Sequence, residues 1–264
     1  MSDTVLLKRN GPVAEVRLNR PDKHNAVDLS VFEGLAQIGE ELRADTGLRA
    51  VILTGEGENF CSGIDTSLFA GGLSPKDINA RILDFPEGEV ANAFQKPAYV
   101  WQEIDVPVIA ALQGATYGAG TQIALGADFR LAAPDTRMSV MEIKWGIIPD
   151  MSITRTLPRL VRADIAKELI FTGRVVEAIE AAHIGLITRI VDDPKQAAFD
   201  MADLICGKNP DAIRRGKRLL NDSWTAPASE SLKLEAQFQT ELLGSTNQME
   251  AIFANLQKRA PNFK

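Results

Sequence analysis

Apolar side chains at Val31, Phe32, Leu35, Ile38 and Leu42 recur at the spacing of one helical face, and Asp28 stands where a side-chain oxygen would cap the start of that helix. Residues 50–54, Ala-Val-Ile-Leu-Thr, form a short unbroken apolar run, as expected of a strand buried on both faces. Ahead of them, residues 4–9 and 13–18 flank Asn10-Gly11 and predict a β-hairpin. The same trade continues with a helix over 93–104, a strand over 108–112, a helix over 118–126 and a strand over 129–132. Alternating strands and helices are the mark of an α/β core. Beyond residue 195 the strand pattern stops, and amphipathic runs at 196–206, 210–222, 228–243 and 246–259 predict helices only. With a boundary near Asp192-Asp193-Pro194, the chain divides into an α/β core over 1–193 and a helical region over 194–264. Residues 70–95, with Gly71-Gly72, Ser74-Pro75 and Pro86-Glu87-Gly88, read as the least regular stretch and as a loop over the site.

A chain of 264 residues can bury a large core without staples. Its 29 basic and 35 acidic residues leave a net charge of −6, with no lysine and arginine run of the kind that holds nucleic acid. The longest apolar run, residues 106–112, is too short to span a bilayer, and the first residues lack the apolar stretch of a secretory signal. Two cysteines, Cys61 and Cys206, make no disulfide framework, so the expected address is cytoplasmic. The two histidines, His24 and His183, stand far apart with no ligand spacing, which gives metal binding no support. Dinucleotide, Walker and serine-esterase glycine motifs are absent.

What remains is concentrated between residues 107 and 158. Gly118-Ala119-Gly120 leads into an apolar helical run, so backbone N–H groups at its start should point outward toward a negative oxygen. Glu142 and Asp150 follow about twenty residues on. An anion hole beside carboxylates is what proton abstraction next to a thioester carbonyl requires. Each feature also has a plainer reading. The glycine turn can serve close helix packing, Glu142 can be a surface acid, and Asp150 can cap the helix that follows.

This stretch resembles the crotonase superfamily, the enoyl-CoA hydratase/isomerase family. Three further pieces fit in order: Val16-Arg17-Leu18-Asn19-Arg20-Pro21-Asp22-Lys23-His24-Asn25-Ala26, then Phe60-Cys61-Ser62-Gly63-Ile64-Asp65, then Phe171-Thr172-Gly173-Arg174 with Ala182-His183-Ile184-Gly185-Leu186. The resemblance implies a core of repeated β-β-α units, a trimer or hexamer built with the helical C-terminal region, an acyl-CoA substrate, and no cofactor beyond the CoA of that substrate. It implies backbone N–H donors at Cys61 and Ala119 and an acid/base at Glu142. It implies CoA contacts at Lys23, His24, Ser62, Gly63, Ile64 and Asp65, with Lys258 reaching a neighbouring subunit, although Asn255 replaces the aromatic that usually precedes that lysine. Either lysine can equally be a solvated surface residue.

Gln122 departs from the pattern. Hydratases of the family carry a second glutamate there, and a neutral amide positions water without taking its proton. Asp150 lies eight residues after Glu142, an interval that resembles dienoyl-CoA isomerases, where it would be a second proton carrier. The reading favoured is double-bond migration in an enoyl- or dienoyl-CoA. Enoyl-CoA hydration and non-catalytic acyl-CoA binding stand as alternatives.

Overall fold

The computed structural model describes residues 3–68 and 74–264. The hairpin forms as expected: β1 (Val5–Asn10) pairs antiparallel with β2 (Val13–Leu18), and Gly11 takes the left-handed turn position at φ 60. Helix α1 (Leu29–Arg43) follows, capped by the Asp28 carboxylate accepting from the Val31 N–H, and leads to β3 (Ala50–Gly55), which is parallel to β2. Next come α2 (Pro75–Leu83), α3 (Lys96–Glu103), β4 (Val108–Leu112), β5 (Ala115–Tyr117), α4 (Ala119–Gly126), β6 (Phe129–Ala132) and β7 (Arg137–Ser139). The chain continues through α5 (Ile153–Thr156), α6 (Ala163–Thr172), β8 (Val176–Glu177), α7 (Ala178–Ile184) and β9 (Arg189–Ile190). It closes with α8 (Pro194–Cys206), α9 (Pro210–Ser223), α10 (Ala228–Leu242) and α11 (Thr246–Leu256).

The strands make one sheet in the order β1-β2-β3-β4-β6-β9 and a smaller one in the order β5-β7-β8. Period-two alternation sorts the larger sheet's side chains to its two faces. Val51 and Leu53 of β3 and Val108, Ala110 and Leu112 of β4 join the main core, with residues of α1, α3 and α4. Ala50, Ile52, Ile109 and Ala111 point the other way and are covered by Ala198 and Ala202 of α8. The first helix after the sequence boundary is therefore the second covering layer of the sheet.

Two expectations change. The stretch over 70–95 is not uniformly irregular, because α2 occupies residues 75–83, its start capped by Ser74 accepting from the Asp77 N–H; Gly71-Gly72 lie outside the described residues. The helix expected from residue 93 begins at Lys96, since Asn92 accepts from the N–H groups of Phe94 and Gln95 and turns the chain first. The short strands β5, β7, β8 and β9 have too few residues to show a period.

Lys96 locks α3 to its surroundings. Its ammonium lies 2.6 Å from Glu40, 2.5 Å from Glu89 and 2.9 Å from Glu103. Burial works to lower its pKa, but the three carboxylates outweigh burial and hold it above the ordinary lysine value. Among the described residues these glutamates are the acids close enough together to chelate a metal, and the ammonium sits among them. Lys96→Met should destabilise the fold by about 2–3 kcal/mol at neutral pH, less than for a fully buried pair because the acids are partly exposed. Glu89, held below the usual carboxylate value chiefly by its bond to Lys96, contributes stability above its unfolded pKa that is lost as pH falls. Chemical denaturation at pH 7 and pH 4 should therefore show the gap between wild type and K96M narrowing in acid.

Candidate active site

Helix α4 begins at a place only glycine fits. Gly118 has φ 50 and ψ −118, and its N–H donates to Ser139 O at 2.8 Å, fixing the turn to the end of β7. Thr121 secures the first helical turn, its hydroxyl donating to Thr116 O at 2.6 Å and lying 3.0 Å from Ser139 O. The Ala119 N–H, at the first helical position, has no acceptor within the helix. Facing it is the loop that contains Gly63. A Cβ on Gly118 would lie 3.8 Å from Gly63 Cα and 3.5 Å from Glu142 Oε1. A Cβ on Gly63 would lie 3.1 Å from Tyr117 O. The helix start, the Gly63 loop and Glu142 thus meet at one point.

One of the expected N–H donors is already bonded within the protein. Cys61 N–H donates to Ala115 O at 3.0 Å and Cys61 O accepts from Tyr117 N at 2.9 Å, because the loop enters the smaller sheet beside Thr116. That N–H is spent and cannot also hold a substrate oxygen. Ser62 donates to His24 O and Asp65 to Val27 O, whereas the N–H groups of Gly63 and Ile64 find no partner among the described residues. Beside the Ala119 N–H, the loop groups left unbonded are therefore those of Gly63 and Ile64, which the sequence could not show without the bridge register. The Cys61 thiol is fully buried, and burial pushes it up to about 12, which excludes thiolate chemistry.

Glu142 opens the single helical turn Glu142–Trp145, which Gly146 ends in the left-handed conformation at φ 71. It is 8% exposed. Its Oε1 accepts from Gln122 Nε2 at 2.7 Å, while its buried Oε2 has no hydrogen-bond partner. Burial raises its pKa, its own backbone N–H and Gln122 oppose the rise, and the charge of Asp150 adds to it. Of its sequence neighbours, Ile143 and Trp145 are exposed, while Met141 is partly buried. Gln122, 1% exposed, is held at its other end by Met151 N–H, which donates to Gln122 Oε1 at 2.8 Å.

Asp150 does not cap α5. Ser152 occupies the cap position in a left-handed conformation, and no side chain caps that helix. Asp150 is exposed as a residue, but partial desolvation on its protein side raises its carboxyl above the usual range. It lies close enough for its charge to act on Glu142.

The residues expected to contact CoA divide into two kinds. Lys23 and His24 are exposed on the loop ending the short helix Pro21–Lys23, with His24 Nδ1 3.0 Å from Asn59 Nδ2. The Ser62 hydroxyl reaches back to Lys23 O at 3.5 Å. Asp65 is tied down instead: it pairs with Arg20 at 3.0 Å, and its pKa is lowered by the Ser67 hydroxyl and N–H and by Arg20. Arg20 also reaches Asp28 and Ala26 O, and Asn25, 1% exposed, donates to Glu56 O and Asn59 O. The Asn-Arg-Pro motif thus braces the loop that presents Gly63 and Ile64, a role the sequence reading missed. Lys258 is exposed after α11, in the left-handed region at φ 51.

Residues 8–264 match the family model described as enoyl-CoA hydratase/isomerase. The chain belongs to that family. It is 32% identical over 271 residues to the carnitinyl-CoA dehydratase of Salmonella typhi, covering 100% of this chain and 99% of the relative. It is 31% identical over 261 residues to the short-chain-enoyl-CoA hydratase of Clostridium acetobutylicum, covering 97% and 96%. The crystal structure of an enoyl-CoA hydratase from Bacillus anthracis superposes with a TM-score of 0.90 at 29% identity over 99% of each chain. The crotonase fold expected from the sequence is the fold observed, and the chain is an enzyme of this family. These relatives are named hydratase and dehydratase, so a preference for isomerisation rests on the site itself.

Gly120 is where the helix start presses on the Cys61 loop, and a Cβ there would come within 2.6 Å of Cys61 Cβ and 2.7 Å of Cys61 O. Gly120→Ala should push the helix start off the loop, lowering turnover at least tenfold and stability by about 1–3 kcal/mol. Cys61→Ala removes only the buried thiol and should keep turnover within about threefold of wild type. Steady-state kinetics and thermal melts of the two variants check both expectations.

Proposed function

We propose that the chain moves a carbon–carbon double bond in an acyl-CoA thioester, with Glu142 as the proton carrier. Glu142 Oε2 takes a proton from C2 of a 3-enoyl-CoA. The electron pair passes to the thioester oxygen, which accepts from the N–H groups of Ala119 and of the Gly63-Ile64 segment. The same carboxyl returns the proton at C4, leaving the double bond at C2–C3. Loss of one such N–H donor costs a hundredfold or more in turnover, by the order of about 3–4 kcal/mol. No cofactor beyond the CoA of the substrate takes part.

The observation that carries this reading is the pairing of one buried carboxylate with a neutral amide, at 2.7 Å, where a second acid would activate water. A 3,5-dienoyl-CoA is the longer version of the same substrate. Asp150, which caps nothing and has a raised pKa, is placed in sequence to serve as its distal base. A second reading is reversible hydration, supported by the names of the hydratase and dehydratase relatives, with Gln122 holding the water and Glu142 acting alone. Lys23 and His24 bind the CoA phosphates in either case. A trimer or hexamer is part of the proposal, supported by the exposed apolar side chains Leu220, Trp224, Leu232, Leu243 and Leu256 on and beside the C-terminal helices.

Incubation with 2-enoyl-, 3-enoyl- and 3,5-dienoyl-CoA, followed by chromatography with mass detection, separates the readings. A new peak of unchanged mass from the second or third thioester is expected; a water adduct from the first as the main product contradicts the isomerase reading. Glu142→Gln should lower turnover at least a hundredfold. Its melting temperature should hold or rise at neutral pH, because a carboxyl with a raised folded pKa costs stability when ionised.

A further inference from the structure

Gln122 is more than the absence of a second acid. It lies on α4, which carries no titratable residue, and both ends of its amide are engaged. Backbone Met151 N–H is an obligatory donor, so the end it meets is the oxygen and the end facing Glu142 is the NH2 group. One oxygen of Glu142 is therefore occupied by the amide, and the other is buried and unpartnered. We infer that Gln122 is a positioning residue: one amide clamps Glu142 Oε1 and the Met151 N–H together, reserving Oε2 for the substrate and holding the Asp150 loop against the helix that supplies the Ala119 N–H. This inference rests on the reading of Glu142 as the acid/base.

The clamp has a chemical consequence. A donor aimed at Glu142 favours its ionised form, opposing the burial and the Asp150 charge that raise its pKa. On α6, which packs against the Glu142 turn, Asp164 pairs with Arg162 and Glu168 with Arg174, and Lys167 is the remaining charge; Lys144 on the turn itself lies over the Trp145 ring, and Arg155 is on α5, which packs against α4. Asp65, on the Gly63 loop, is paired with Arg20. Removing the amide should thus leave more Glu142 protonated at neutral pH and fewer molecules with an active base.

The test replaces Gln122 with Leu and reads Glu142 in two ways. The first is the acid limb of the kcat/KM profile on the thioester that wild type turns over. The second, which needs no turnover, is carboxyl 13C NMR of protein labelled at glutamate side chains, assigned with Glu142→Gln. Gln122→Leu should move the Glu142 titration up by about one pH unit. Its kcat should fall by up to about tenfold at neutral pH and recover at higher pH, with KM little changed. An unshifted Glu142 titration, or a loss of kcat equal at every pH, would overturn the clamp. If Gln122→Leu does not fold, Gln122→Glu decides the matter: two carboxyls at this separation must titrate as a coupled pair, one moving toward neutral pH. Independent titrations would show that the two side chains do not meet. Absence of turnover in wild type with the expected NMR shift would sink the acid/base reading and leave the clamp standing.

Discussion

The start of α4 and the Gly63 loop meet with only glycines between them, and the rest of the site depends on that meeting. Gly118 and Gly63 both take positive φ, 50 and 101, and a Cβ on Gly63 would crowd Tyr117 O at 3.1 Å. Gly120 brings the first turn of α4 closer still to Cys61, where a Cβ would lie 2.6 Å from Cys61 Cβ. Backbone N–H groups from a helix start and from a loop can converge on one oxygen only if no side chain separates them. The surrounding structure reinforces this geometry from both sides. Thr121 ties the helix to β5 and β7, while Arg20, Asn25 and Asp65 hold the loop against the segment that follows β2. The larger sheet and its α8 layer provide the rigid base on which the two pieces meet.

The electrostatics follow from that packing. A carboxylate buried beside an apolar contact is costly unless something stabilises it, and a second acid at 2.7 Å would force one of the two to hold a proton. The amide of Gln122 avoids that conflict and fixes a donor on Glu142 at a constant position. A single base with one free oxygen is suited to carrying one proton between two carbons. The same arrangement is poorly suited to taking a proton from water while delivering another, which is why the relatives' names do not settle the chemistry of this chain.

Strongly periodic elements were legible in the sequence, and the accounting of backbone donors was not. The helical spacing of Val31 to Leu42 and the apolar runs of β3 and β4 placed the core correctly, because their side chains face one environment along their length. Asp28 was recognisable as a cap from its position alone. Glu142 and the start of α4 come together as the sequence suggested, but a donor was expected at Cys61 because a motif names residues and not bonds. Only the bridge between Cys61 and Thr116 reveals that this N–H is consumed. Asp150 read as a possible cap for the same reason: the left-handed Ser152 that takes that position leaves no trace in composition. Gln122 was noted as a departure, yet its bond to Met151, 29 residues on, is a tertiary fact.

The central claim is that Glu142 abstracts a proton beside a thioester whose oxygen is held by backbone donors. Exchange of the C2 protons of a saturated acyl-CoA in deuterated water tests this without presuming hydration or isomerisation, because such a thioester can undergo neither. Wild type should incorporate deuterium at C2 by mass spectrometry, while Glu142→Gln should bind the thioester and incorporate at least a hundredfold less. Bound thioester with no exchange in wild type, or full exchange in the variant, would contradict the account.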